Sequence, residues 1–375
     1  MSEYQCYEFV ALDRPLTGKQ MAELRAISTR ADISPTRFWN EYEWGDLKAD
    51  PAKLVERYFD AHLYFANWGT HRPMLRLPKA RTDLKALKVF FVGTHAARLT
   101  VCGEYVLLDL GSDTEEPADD EMGQGSLAVL SALRAELMRG DLRSAYLAWL
   151  LAVQSDDLDN DAVEPLVPAG LASLTAAQQA MAEFLRIDDD LLAAAASESA
   201  RATQGDAELR RWVTRLPPAE KNRWLLRAVD DGDVALGGEL RRTFSRTRSP
   251  SGASKRRTVG ELRARAETRQ SERENAQAVR ATKAREAAER ARERRLDKLG
   301  LDVDAAWAKL EKLVDASAYD EAMTLAVDLR DAAARDGDAK IFTMRFETMR
   351  KRLLRRRGFF DRWKRRQHEV VMVRP

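Results

Sequence analysis

Residues 37–46 read RFWNEYEWGD. Phe38, Asn40, Tyr42 and Trp44 alternate with Trp39, Glu41 and Glu43, the period-two pattern of a half-buried strand with one aromatic face. Taken as a strand, this stretch makes the first part of the chain an α+β domain rather than another helical segment. Upstream, YQCYEFVALD (4–13) is rich in aromatic and β-branched residues and predicts a companion strand. Pro15 interrupts it, and Thr17 is placed to cap a helix running to Arg30 with Met21, Leu24 and Ile27 on one face. Downstream, Asp50-Pro51 is a helix start with proline at the first helical position. The spacing of Leu54, Tyr58, Ala61 and Phe65 carries that helix to Asn67 and places His62 on it. MLRLP (74–78), LKVFFVG (87–93) and the pair ARLTV and YVLLDLG flanking Gly103 predict the remaining strands, the last two as a hairpin.

After SDTEEPADDEMGQG (112–125), an acidic loop with Pro and Gly that marks a domain boundary, the period changes. Leu127, Leu130, Leu133 and Leu137 form one helical stripe, and Leu142, Tyr146, Trp149, Leu150 and Val153 another. Further helix starts near Thr175, Asp188, Asp206 and Pro218, with a turn at DDGD (230–233), predict an all-helical acidic domain over 126–245. Residues 246–257 have the Ser, Pro and Gly of a flexible linker with Arg and Lys added. Residues 258–300 are almost pure Ala, Arg and Glu, with pairs such as Glu261–Arg265 and Glu286–Arg290 at helical spacing. Leu262, Val279 and Leu296 are too sparse for a coiled-coil seam, so this is a solvated helix on the order of 60 Å long. Over 301–375, three apolar faces predict a helical hairpin with a basic end. These are Val303, Trp307, Leu310 and Val314; Tyr319, Ala322, Met323, Ala326 and Leu329; and Ile341, Phe342, Phe346, Met349 and Leu353. The fold class expected is mainly α with an N-terminal α+β domain at 1–111, in a multi-domain chain.

The net charge of +2 hides a segregation. Residues 1–108 carry 15 basic and 13 acidic groups, residues 109–240 carry 11 and 26, residues 241–296 carry 18 and 7, and residues 297–375 carry 18 and 14. An acidic middle followed by a basic C-terminal third is the pattern of an interaction protein. Two distant cysteines, Cys6 and Cys102, suit a reducing cytoplasm and no disulfide framework. The start MSEYQCYEFV lacks the features of a signal peptide, and the longest apolar run, AYLAWLLAV (145–153), is far short of the roughly 20 residues needed to span a bilayer. A cytoplasmic protein is expected.

Two resemblances add to this. YQCYEFVALDRPLT with TRFWNEYEWGD and ERYFDAHLYFANWGT resembles an uncharacterised bacterial protein family over roughly the first 80 residues. It implies a bacterial cytoplasmic origin and carries no site residues with it. WAKLEKLVDASAYDEAMTLAVDLRDAA (307–333) is similar to a tetratricopeptide helix pair, but its Trp307-to-Ala322 spacing is one residue short and no second copy follows.

The chemistry-bearing residues do not assemble into a catalytic signature. His62, His71, His95, His368, Cys6 and Cys102 lack zinc-type spacing, and there is no H-E-x-x-H, G-x-S-x-G, G-x-G-x-x-G or P-loop motif. No metal or cofactor is expected. If an enzyme site exists, it belongs to the N-terminal sheet, with Tyr42, Trp44, Asn67, Trp68, His71 and Arg72 as its lining. The strongest signal is RKRLLRRRGFFDRWKRR (350–366). Arg350, Lys351, Arg355, Arg356, Arg357, Arg362, Lys364, Arg365 and Arg366 are candidate phosphate clamps, with Trp363 to stack on a base; Lys255, Arg256 and Arg257 of the linker extend the set. The competing readings dock Leu353, Leu354, Phe359, Phe360 and Trp363 onto the hairpin with a helix ending at Gly358, set the basic arm against the acidic middle domain of the same or another copy, or lay the segment on a membrane surface. The function expected is a non-enzymatic accessory protein that docks partner proteins and contacts nucleic acid. A pure protein–protein scaffold and an enzyme are the alternatives.

Overall fold

The alternation in RFWNEY is used as a strand. In the computed structural model, which describes residues 4–114, 126–199, 202–230, 236–247 and 256–372, residues Arg37–Tyr42 form β3 with Phe38 and Asn40 buried. The other strands are β1 (Gln5–Val10), β2 (Asp32–Ser34), β4 (Ala61–Ala66), β5 (Thr70–Pro78), β6 (Ala97–Cys102), β7 (Tyr105–Leu110) and β8 (Ser112–Asp113). They make one antiparallel sheet in the order β2-β3-β1-β4-β5-β7-β6, with β8 paired to β5. The remainder is mainly helical, and the chain divides into two units, residues 1–272 and 273–375.

Period-two alternation lets each central strand feed two cores. On one face, Tyr7, Phe9, Phe38, Met74 and Leu107 pack with Leu24 of α1 (Gly18–Ile27) and Leu54 and Val55 of α2 (Pro51–Arg57). Thr17 and Gln20 close a capping box on α1, and Asp50 caps α2 with Pro51 in its first turn. On the other face, Ala61, Leu63, Phe65, Leu75, Val106 and Leu108 share a core with the helices that follow. These are α4 (Ser126–Met138), α5 (Arg143–Gln154), α6 (Ala176–Phe184) and α7 (Asp189–Ala196). Strands and helices on both sides of residues 115–125 therefore feed a single cluster. Every residue from Ser144 to Val153 is buried, so the apolar run in α5 is a core helix, hydrophobic all round. Among the described residues no helix is long and apolar enough to cross a membrane.

Two sequence expectations fail here. The helix from Pro51 stops at Arg57, and residues 61–66 form β4 in the middle of the sheet. AHLYFA alternates as well as it fits a helical stripe. Pairing with both β1 and β5 buries Ala61, Leu63 and Phe65 on one face and His62 and Ala66 on the other. LKVFFVG is not a strand: Asp83 caps the short α3 (Leu84–Lys88), and the chain then runs irregularly while Phe90 packs edge-on against Tyr146 at 6.1 Å. The hairpin of β6 and β7 does turn at Gly103, whose φ of +54° is the conformation that favours glycine.

The helices α8 (Ala202–Arg215), α9 (Pro218–Asp230) and α10 (Leu236–Thr247) follow, and the DDGD turn lies largely outside the described residues. The long α11 (Val259–Leu301) begins inside the core of the first unit, where Val259 and Leu262 are buried, and ends in the second. Residues 267–295 of this helix are exposed throughout, as a helix without an apolar seam must be. In the second unit α12 (Val303–Asp315), α13 (Tyr319–Arg335), α14 (Ala339–Arg352) and α15 (Arg357–Met372) surround one aromatic-rich core. Gly358 does not end a helix. It lies in the first turn of α15, with Tyr319 Cε2 at 3.4 Å from where a Cβ would sit.

Candidate nucleic-acid interface

The basic end is built by two helices whose apolar residues recur at i, i+4 and i+7. Phe342, Phe346 and Met349 turn α14 inward, the helix stops at Arg352, and α15 then brings Phe359 and Trp363 back onto the same core. Trp363 is only 6% exposed, with its ring 4.8 Å from Phe346 and 6.1 Å from Phe342. Its assignment as a base-stacking residue is overturned: the indole is core, because α15 has no other large ring one turn beyond Phe359 to close the bundle. Leu354 does not join that core and stands 67% exposed at the corner between the helices.

The cations of 350–366 fall into two sets. Arg352 pairs with Glu311; Arg356 with Asp315 at 3.2 Å and Ser317 Oγ at 3.1 Å; Arg362 with Asp320 at 3.0 Å, over the Tyr319 ring at 5.6 Å. These three fasten the basic end to α12 and α13 through exposed pairs of modest individual worth. Arg350 reaches Glu347 at 3.3 Å on its own helix. Lys351, Arg355, Arg357, Lys364, Arg365 and Arg366 form the second set. They are exposed and have no ion-pair partner among the described residues. Lys351, Arg355 and Arg357 gather at the α14–α15 corner, and Lys364 to Arg366 follow about 10 Å along α15 at 1.5 Å per residue.

The linker cations separate from this set. Lys255 lies outside the described residues, Arg256 is exposed, and both Arg256 and Arg257 belong to the first unit. Arg257 is not a surface clamp. It is buried, donating through Nε and Nη2 to Glu164 at 2.7 and 2.8 Å and through Nη1 to the Ala194 carbonyl at 2.9 Å. Glu164, itself buried and also accepting from the Tyr146 hydroxyl, requires a charged donor, and Arg257 supplies it just before α11 begins.

The lining expected of an enzyme site is dispersed. Trp44 is 84% exposed beyond the end of β3, and Asn67 Oδ1 accepts from the Tyr4 N–H. Adjacent residues of β5 point to opposite faces: Arg72 makes a two-pronged pair with Asp109 at 2.9 Å, while His71 is buried against Phe184 and donates from Nδ1 to its carbonyl. Burial lowers the His71 pKa, although the Phe184 carbonyl opposes it.

Sequence reasoning put His62 on a helix and did not single out Asp60. His62 lies in β4 with its ring stacked on Phe9 at 4.0 Å and Nδ1 2.9 Å from the Glu8 carbonyl. Burial pulls its pKa down to about 3, so the imidazole is neutral. Asp60 accepts from the backbone N–H groups of Leu12 and Asp13 and from Arg76, at 2.7, 2.8 and 2.8 Å. Arg134 of α4 donates to Asp13 at 2.8 and 2.6 Å and to the Arg76 carbonyl at 2.7 Å. Burial pushes Asp60 up, but these donors and the Arg76 charge outweigh it and hold the carboxyl below its ordinary range. The network locks α4 to the sheet; its members are up to 121 residues apart, so no local pattern could disclose it. Among the described residues no group of three His, Cys, Asp or Glu side chains is arranged to hold a metal ion.

No protein-family model, no curated protein and no solved structure matches this chain.

Proposed function

We propose that this protein is a non-enzymatic cytoplasmic accessory protein that docks partner proteins and holds nucleic acid through the basic end of its C-terminal unit. The observation that carries the reading is the set of six exposed cations without an ion-pair partner among the described residues, Lys351, Arg355, Arg357, Lys364, Arg365 and Arg366, all within residues 351–366. Glu311 and Asp315 of α12 and Asp320 of α13 are already engaged by Arg352, Arg356 and Arg362. The remaining positive charge is thus left for an external polyanion. A membrane surface fits less well, because an interfacial helix must offer an apolar face, whereas Phe359 and Trp363 of α15 are buried and Phe360 packs against the same core. Docking of partner proteins draws support from α9, where Leu225, Leu226 and Val229 are exposed along one side.

The test is a gel shift of a mixed-sequence oligonucleotide at low salt. Wild type should shift it, and a variant with all six cations changed to Gln should lose most of that binding. Wild-type protein that shifts nothing contradicts the proposal and leaves the scaffold reading in its place.

A further inference from the structure

We infer that the basic end takes duplex nucleic acid, gripped by its phosphates and not read through its bases. The inference rests on the nucleic-acid reading above and narrows it to a ligand class. Proteins that hold single strands combine cations with aromatic platforms on which unstacked bases lie. Among the described side chains of the second unit no ring is left over. Trp307, Phe342, Phe346, Phe359 and Trp363 are buried, and the half-buried Tyr319 and Phe360 lean on Phe359 at 6.3 and 5.2 Å. Arg362 lies over Tyr319 as well.

What the surface does offer is charge. Arg357, Lys364 and Arg365 project from the side of α15 opposite Phe359 and Trp363, with Asp361 between them by helical spacing. A carboxylate at the centre of that face opposes deep entry into a phosphate-walled groove, whereas cations on either side of it suit a helix lying across the backbone. Two clusters about 10 Å apart face several charges of a duplex, which carries one per about 1.7 Å of axis. The higher charge density of the duplex then sets the preference. Six contacts give a log–log salt slope of about −5 on duplex and about −4 on single strands; with the two affinities equal when extrapolated to 1 M salt, that is about tenfold tighter duplex binding near 0.1 M salt.

Fluorescence anisotropy of the full chain tests this, with a labelled mixed-sequence duplex, each of its strands alone, an oligo-dT of equal length, and A·T-rich and G·C-rich duplexes. The duplexes are expected to bind about tenfold more tightly than any single strand and within about threefold of one another, with a salt slope near −5. The six-Gln variant should flatten that slope while keeping the wild-type melting temperature, since none of the six side chains holds the fold together. Single strands bound as tightly as duplex, or duplexes differing by more than tenfold, would overturn the phosphate-only inference and leave nucleic-acid binding standing. No binding to any of these, with an acidic protein captured instead, would overturn both.

Discussion

Arg257 shows what a single side chain can hide within a composition. It stands in SRTRSPSGASKRR, whose Ser, Pro and Gly read as linker, yet its guanidinium is buried on Glu164, 93 residues away. Replacing it with Met leaves that carboxylate buried without its partner, which should cost about 3–5 kcal/mol in urea unfolding. The double change with Glu164→Leu should recover much of the loss. An Arg257→Met chain as stable as wild type would show that the pair does not hold the start of α11 to the core. His62 acts on pH in the same quiet way. Its folded-state pKa of about 3 lies below the ordinary value of 6.5, so between those limits the unfolded chain binds the proton and the folded one does not. Stability should therefore be full above about pH 6.5 and fall on acidification, by about 2 kcal/mol at pH 5 for this histidine. Denaturation midpoints at pH 7 and pH 5, compared with His62→Leu, check it. An unchanged pH difference in the variant would assign the effect elsewhere.

At the level of elements, the sequence was legible where one period dominated. Thr17, Asp50, Thr175 and Asp188 all cap the helices their positions announce. The reading failed at residues 61–66, where Leu54, Tyr58, Ala61 and Phe65 satisfy a helical stripe while AHLYFA satisfies a strand. Pairing with two neighbouring strands settled the contest, and no local window contains that information. The solvated span of α11 was legible because Ala, Arg and Glu leave nothing to bury. A peptide of residues 258–299 should be helical and monomeric in sedimentation, held by pairs worth only about 0.2–0.5 kcal/mol each. A stable dimer would reveal an oligomerisation surface on it. For α15 the residue types were legible and their partition was not, since Arg-rich and aromatic positions interleave. Trp363→Ala should lower stability by about 3–5 kcal/mol and leave any salt dependence of binding unchanged. A change in the salt slope without loss of stability would return the ring to the surface.

Across the whole molecule, charge and core follow different boundaries. The sheet and the helices after it share one hydrophobic cluster despite the acidic stretch at 115–125, and residues 273–375 carry 26 basic against 18 acidic groups around a core of their own. The mainly helical class with an N-terminal α+β part could be read from periodicity, but the sharing of that core could not. Nor could the division of the basic end into cations spent on its own acids and cations left over. That division is the substance of the functional claim, and the salt dependence of duplex binding by the full chain measures it most directly. Wild type should bind at low salt with a log–log slope near −5, and the six-Gln variant should lose most of both affinity and slope at an unchanged melting temperature. Wild-type protein that does not bind at low salt, or a variant that binds with the same slope, would contradict it.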